Sequence, residues 1–210
     1  MKHIMSALVA AFIITVCLSV YSQDVNQDLS QSMIRLHVIA NSDTDEDQAL
    51  KLQVRDAVIH AAQPLLQGAS DKATSREALL SHTDELERAA RETVIQNGYD
   101  YPVTVEYGNF YFPLKRYANV MLPSGDYDAF RVKIGQAEGK NWWCVMFPPL
   151  CFVNETTGEM DEAALQQLKA AVSEDEYELI TSAEDGDLPV VMRFKVVDWF
   201  MNLREKLKQV

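Results

Sequence analysis

Two cysteines, one histidine and an acidic cluster are the side chains of this 210-residue chain best placed to do chemistry. Cys144 and Cys151 lie in Asn141–Val153, which reads Asn-Trp-Trp-Cys-Val-Met-Phe-Pro-Pro-Leu-Cys-Phe-Val and also holds two of the chain's three tryptophans. A thiolate beside a base is a nucleophile, whereas two thiols in an oxidising compartment become a disulfide. The base on offer is His37, because His60 and His82 fall off the apolar stripes of their helices. His37 could serve Cys144 only if the first and last strands were neighbours, and a Cys144–Cys151 bridge would leave no thiolate in any case. The third group, Asp43, Asp45 and Asp47, starts like a calcium loop. It has Gln48 where the loop's sixth position needs glycine and Val54 where its twelfth needs glutamate. These acids are therefore read as opposing the positive end of a helix dipole. No Gly-x-Ser-x-Gly, Cys-x-x-Cys, paired-histidine or phosphate-cradling glycine motif occurs. The expectation is a protein that is not an enzyme and takes no metal, cofactor or small-molecule substrate.

The elements around these residues follow from periodicity. Met33–Ala40 alternates, with Ile34, Leu36, Val38 and Ala40 on one face and Arg35, His37 and Ile39 on the other, which predicts a strand. Asn41–Thr44 is a turn and cap cluster. A helix follows with Leu50, Val54, Ala57, Val58, Ala61 and Leu65 on its stripe, ended or bent at Pro64. Ser75 is read as the cap of a single second helix carrying Leu79, Leu86, Ala90 and Val94, stopped at Asn97-Gly98. Val103–Tyr107, Val120–Leu122 and Phe130–Ile134 read as strands, the last with a solvated basic face at Arg131 and Lys133. Gly135–Lys140 reads as a hairpin loop into Trp142–Phe147, a strand without polar alternation and so expected to be central. Helices at Asp161–Val172 and Val190–Lys208 complete the chain, with a further turn or two at Ser173–Ser182. The order strand, two helices, four strands, helices predicts one α+β layered domain, a largely antiparallel sheet of about five strands with helices packed against it.

Side chains of adjacent strand residues point to opposite faces, so one of Trp142 and Trp143 turns to the helices and the other away. The outward one is either covered by the C-terminal segment or offered to a partner. Fully extended, the seven steps from Cys144 to Cys151 would span about 23 Å, whereas a bridge needs Cα atoms within about 7 Å. A bridge therefore requires a reversal around Phe147-Pro148-Pro149-Leu150, and closing that loop is worth about 2.5 kcal/mol in the chain-entropy account.

The whole chain limits the partners. Nineteen Lys and Arg against 31 Asp and Glu give a net charge of −12, which argues against nucleic acid. Lys2 and the uncharged run Ile4–Ser22 have the layout of an export signal, residues 1–22, cut after Ser22 or retained as an anchor that would be the sole membrane contact. Its removal takes the net charge to −13 and leaves two cysteines, an even count that favours a disulfide. Residues 23–32 read as a polar tether and 33–210 as one globular domain, with 154–210 its helical C-terminal part.

Together these residues resemble the stage II sporulation protein R family of endospore-forming bacteria. The resemblance runs through Ile34–Leu36, Ala40-Asn41-Ser42-Asp43, Asp47-Gln48, Lys51 and Arg55-Asp56-Ala57-Val58. It continues through Phe112-Pro113, Lys115, Tyr117, Asn119, Leu122–Ala129 with Gly125, and the block Asn141–Phe152. Ala118 stands where the family pattern has glycine, between Tyr117 and Asn119. The resemblance implies a protein exported from the forespore into the space between forespore and mother cell. There it would trigger a membrane-embedded aspartic protease that cleaves the sigma factor E precursor. Trp142, Trp143, Phe147, Pro148 and Pro149 are the candidate contacts for that partner. The competing expectation is a secreted hydrolase acting on peptide or cell wall through Cys144 or His37.

Overall fold

The computed structural model describes residues 28–69, 71–117, 120–151 and 162–181, with His3, Met5, Ser6 and residues 9–15 of the N-terminal segment. The cut after Ser22, Asn119 and the helix expected at Val190–Lys208 lie outside the described residues. No helix among the described residues is long and apolar enough to cross a membrane.

The chain runs β1 (Ile34–Ile39), α1 (Asp45–Leu66), α2 (Lys72–Ser81), α3 (Thr83–Gln96), β2 (Val103–Phe112), β3 (Lys115–Tyr117), β4 (Val120–Leu122), β5 (Gly125–Ile134), β6 (Asn141–Phe147), α4 (Glu162–Ala171) and α5 (Glu174–Thr181). Four strands form one sheet in the order β2-β5-β1-β6, and β3 and β4 form a separate antiparallel pair. Within the four-stranded sheet β2–β5 and β1–β6 are antiparallel and β1–β5 parallel, so the expected α+β class and largely antiparallel sheet hold.

Several expectations change. The helix read as starting at Ser75 begins at Lys72 under Asp71, whose Oδ1 accepts from the Thr74 N–H at 2.8 Å, and Ser75 is buried inside it. That helix is also two, α2 and α3, broken at His82. β3, a short charged triplet, gave no alternation to read. The polar tether ends in a helical turn at residues 28–32, whose Leu29 is fully buried.

The largest change is topological. β5 and β6 do not form a hairpin: β1 lies between them, and β6 is an edge strand rather than a central one. Residues Gly135–Lys140 therefore cross over the end of β1 instead of turning tightly. Gly139 N–H donates to Ala40 O at 3.0 Å, Glu138 N–H to Asn41 O at 3.2 Å, Gln136 N–H to Asn41 Oδ1 at 2.9 Å and Lys140 N–H to Asp43 Oδ1 at 2.7 Å. The approach is close enough that a methyl group on Gly139 would sit 2.1 Å from Ser42 O, which only glycine permits.

Both faces of the sheet are covered, which removes the pressure for polar alternation along β1 and β6. On one face α1 packs on β1 and β6, and α3 on β2. Leu36, Val38, Leu50, Val54, Val58, Leu86, Val94, Phe130, Val132 and Met146 form the core there. On the other face the β3–β4 pair and α4–α5 enclose Leu29, Met33, Phe112, Leu122, Tyr127, Val145, Leu150, Leu168 and Ile180. Burying a side chain of Leu, Ile or Phe size is worth roughly 1.5–3 kcal/mol, so two cores in one small domain give each face its own stabilisation.

Candidate functional site

The site is built on β6 and its neighbour β1. Their antiparallel register sets Val38 opposite Trp142, His37 opposite Trp143 and Leu36 opposite Cys144. The first and last strands of the main sheet are thus neighbours. His37 and Cys144 nevertheless lie on opposite faces: Leu36 and Cys144 belong to the helix-side core, while His37 stacks on Trp143 on the other side. Cys144 is bridged to Cys151, with Cα atoms 5.5 Å apart. The thiol–imidazole pair that a nucleophilic hydrolase would need is therefore not assembled.

The bridge closes the reversal expected around Phe147-Pro148-Pro149-Leu150. The turn folds back on its own strand: Leu150 N–H and Cys151 N–H both donate to Val145 O at 3.2 Å, and Leu150 is buried in the second core. The Phe147–Pro148 peptide is cis. Phe147 and Pro148 are buried inside the domain, which leaves Trp142, Trp143 and Pro149 as the candidate contacts with accessible surface.

The tryptophans part as strand geometry requires. Trp142 turns to the helices, where the Arg55 guanidinium lies 4.2 Å from its ring centre. Arg55 also pairs with the exposed Asp56 at 2.7 Å, so it holds the indole while its charge is balanced at the surface. Trp143 turns to the other face, stacked on His37 with ring centres 3.7 Å apart and an angle of 16°, and meets Phe112 edge-on at 4.7 Å. One face of the Trp143 indole is thereby fixed against the domain, while the residue keeps accessible surface.

His37 is itself held by Asn141, whose Oδ1 is 2.7 Å from Nε2. Burial drives its pKa down, Asn141 pulls it back up and the charge of Arg131 lowers it again, to about 4. The ring is therefore neutral, Nε2–H donates to Asn141, and Nδ1 is buried without a partner among the described residues. Because the folded value lies below that of the unfolded chain, the unfolded state takes up the proton first as pH falls. Stability from His37 is complete above about pH 6.5 and is lost as pH drops towards 4, by roughly 2 kcal/mol with allowance for partial solvation. His37→Gln is expected to flatten this part of the curve, seen by comparing urea midpoints of the two proteins at pH 7 and 4.5. Equal losses in both would show that His37 does not titrate as described.

Beside His37 lies Arg35, fully buried. Its Nη2 donates to Tyr117 Oη at 2.5 Å, while Nε and Nη1 have no hydrogen-bond partner among the described residues. Its guanidinium carbon sits 4.2 Å from the Phe112 ring centre, 4.8 Å from Tyr127 and 5.8 Å from Tyr117. Tyr117 passes the contact on, donating from Oη to Trp143 O at 3.1 Å. Burial raises the Tyr117 phenol against the opposing pull of Arg35, and pushes Tyr127 up to about 12. Arg35, Phe112 and Tyr127 carry the family resemblance in sequence, but nothing there showed that they meet in one buried cluster. The one legible signal was a cation inside an otherwise apolar strand.

The remaining motif residues knit the turn after β1. Asn41 Nδ2 and Ser42 Oγ donate to Asp47 Oδ2 at 2.8 and 2.5 Å, and Gln48 Nε2 donates to Ser42 O at 2.8 Å. Burial alone would raise the Asp47 carboxyl, but the hydrogen bonds from Ser42, Asn41 and Tyr101 outweigh it and hold the group below its usual range. Thr44 caps α1, and Asp45, Glu46 and Asp47 fill its first turn, as the dipole reading expected. Gly125 opens β5.

This chain matches the family model described as stage II sporulation protein R over residues 30–157. It is 32% identical over 183 residues to the stage II sporulation protein R of Bacillus subtilis (strain 168), covering 81% of this chain and 80% of that protein. No solved structure matches it. The matched region takes in β1, the crossing loop, the buried Arg35 cluster and the stapled turn, and the chain belongs to the stage II sporulation protein R family, with a role in sporulation.

Proposed function

We propose that this chain is an exported signalling ligand of sporulation. Ile4–Ser22 directs it across the forespore membrane into the space facing the mother cell. There it binds the extracytoplasmic face of a membrane-embedded aspartic protease and favours the state that cleaves the sigma factor E precursor. It performs no catalysis of its own. The observation that carries this reading is the Cys144–Cys151 bridge. It consumes both thiols that remain once residues 1–22 are removed, and it fixes the turn beside Trp143 in one shape before any partner arrives. A rigid, pre-formed contact loses less entropy on binding than a flexible one.

The energetic demand is modest. Moving a protease from 1:99 to 99:1 in favour of its active state takes about 5.5 kcal/mol of differential affinity. Two or three anchoring side chains at roughly 2–4 kcal/mol each suffice. The experiment is reconstitution of the oxidised chain with the protease and the sigma precursor in vesicles. Cleavage is expected with the chain present and not without it. Cleavage that is independent of the chain, or that the chain performs without the protease, overturns the reading.

A further inference from the structure

The two edges of the four-stranded sheet are treated differently. On the β6 edge two outward carbonyls are occupied, Trp143 O by Tyr117 Oη and Val145 O by the stapled turn. Among the described residues the β2 edge is open. Gly135 N–H donates to Pro102 O on the β5 side at 2.9 Å, and Val105 N–H turns the other way, to Glu87 Oε2 at 3.2 Å. The alternation these contacts set directs the N–H and C=O groups of Tyr107, Asn109 and Tyr111 outward. None of the three has a backbone partner among the described residues.

Exposed edges normally carry a charge, a proline or a bulge that prevents pairing with another chain. Here the ten residues of β2 pair with β5 without a register shift, and Tyr107–Tyr111 reads Tyr-Gly-Asn-Phe-Tyr, with neither charge nor proline. Asn109 and Tyr111 are exposed, the latter at 63%. In a chain of net charge −12, an uncharged open edge calls for an occupant.

We propose that this occupant is a second copy of the chain, paired antiparallel through β2 about a twofold axis at Asn109, so that two sheets become one. The segment is self-complementary in that register. Tyr107 faces Tyr111 of the second copy, an aromatic pair made twice. Asn109 faces its own equivalent; Nδ2 already donates to Asp128 Oδ1 at 3.4 Å within the chain, which leaves its second hydrogen as donor and Oδ1 as acceptor for the facing amide. Gly108 faces Phe110 of the second copy, so no second side chain is set against that ring and each ring stays over the glycine of its own strand. Within one chain the Phe110 ring already lies over Gly108, where a Cβ would come within 2.9 Å. Glu106 faces Phe112 and not another acid, so the acidic chain meets itself without like charges opposed. An extended segment of another protein would need none of this symmetry.

The test uses the full chain in mild detergent with Cys17→Ser throughout. Residues in a hydrogen-bonded antiparallel pair have Cα atoms about 5.5 Å apart, inside the disulfide range. Asn109→Cys is expected to give a disulfide-linked dimer on mild oxidation, and Thr104→Cys, near the other end of the strand, is not. Asn109→Pro removes an outward N–H and the 3.4 Å side-chain bond from Asn109 Nδ2 to Asp128 Oδ1, but no backbone bond to β5. It is expected to weaken self-association in sedimentation by roughly tenfold or more without loss of the folded spectrum. A monomer at the highest soluble concentration with no link at position 109 overturns the proposal. So does self-association unchanged by Asn109→Pro. Protection of the 107, 109 and 111 amides from hydrogen exchange only when a different protein is added would assign the edge to that protein instead.

Discussion

Trp143→Ala is expected to abolish stimulation of precursor cleavage while the domain stays folded. The indole is stacked on His37 and edged by Phe112, yet it keeps accessible surface, so it is rigid and available together. Truncating a central aromatic anchor costs roughly 2–4 kcal/mol of binding, or about 30- to 1,000-fold in affinity. The cost to folding is smaller. Full burial would make it about 3–5 kcal/mol, so a half-buried ring loses roughly 2 kcal/mol from a typical total of 5–15. Trp142→Ala is the comparison, since that ring faces the helices under Arg55 and serves packing first. Dose–response of the reconstituted reaction, with thermal unfolding of each variant alongside, separates the two effects. A folded Trp143→Ala protein that stimulates cleavage like the parent would remove this residue from the contact face.

Arg35→Ala is expected to lose about 3–4 kcal/mol of stability in urea unfolding, whereas Arg35→Met stays within about 1 kcal/mol of the parent. The guanidinium has no ion-pair partner among the described residues. It is paired with the Tyr117 hydroxyl and with ring faces, and two of its nitrogens lack acceptors among those residues. Cation–π contacts return up to about 2 kcal/mol each when desolvated, which offsets a charge that is costly to bury. Alanine leaves a cavity between Phe112, Tyr117 and Tyr127, while methionine refills most of it without the charge. If methionine proves as damaging as alanine, the charge itself holds the aromatic cluster together.

Local pattern reached the elements but not their order. Each strand that alternates, the cap cluster at Thr44 and the reversal at the proline pair rest on neighbours in sequence, and these were legible, whereas the cap at Asp71 and the break at His82 were not. β1 between β5 and β6 was not, because strand pairing joins residues about a hundred apart and a glycine-bracketed loop looks the same whether it turns or crosses. The clue was in β1: Arg35 and His37, polar by type, sit on a face that is covered like the other. Of the candidate site, the opposed tryptophans followed from strand geometry, while the bridge was favoured by an even cysteine count and geometry added only the reversal it requires. Arg35 followed from neither, since a buried cation is visible only once its aromatic surroundings are assembled. Asn141 and Gly139 likewise acquire their roles only when the crossing loop meets the turn after β1.

The crossing over β1 bears on when the protein can first be active. A chain made and delivered from its N-terminus presents β1 early, yet both of its sheet partners, β5 and β6, lie about ninety or more residues later. Until they arrive β1 has nothing to pair with, and Arg35 and His37 have no shelter. Long-range pairing of this kind sets in late during assembly. The aromatic platform at Trp143 therefore comes into being only after β6 has emerged, and a chain truncated before Asn141 cannot assemble it.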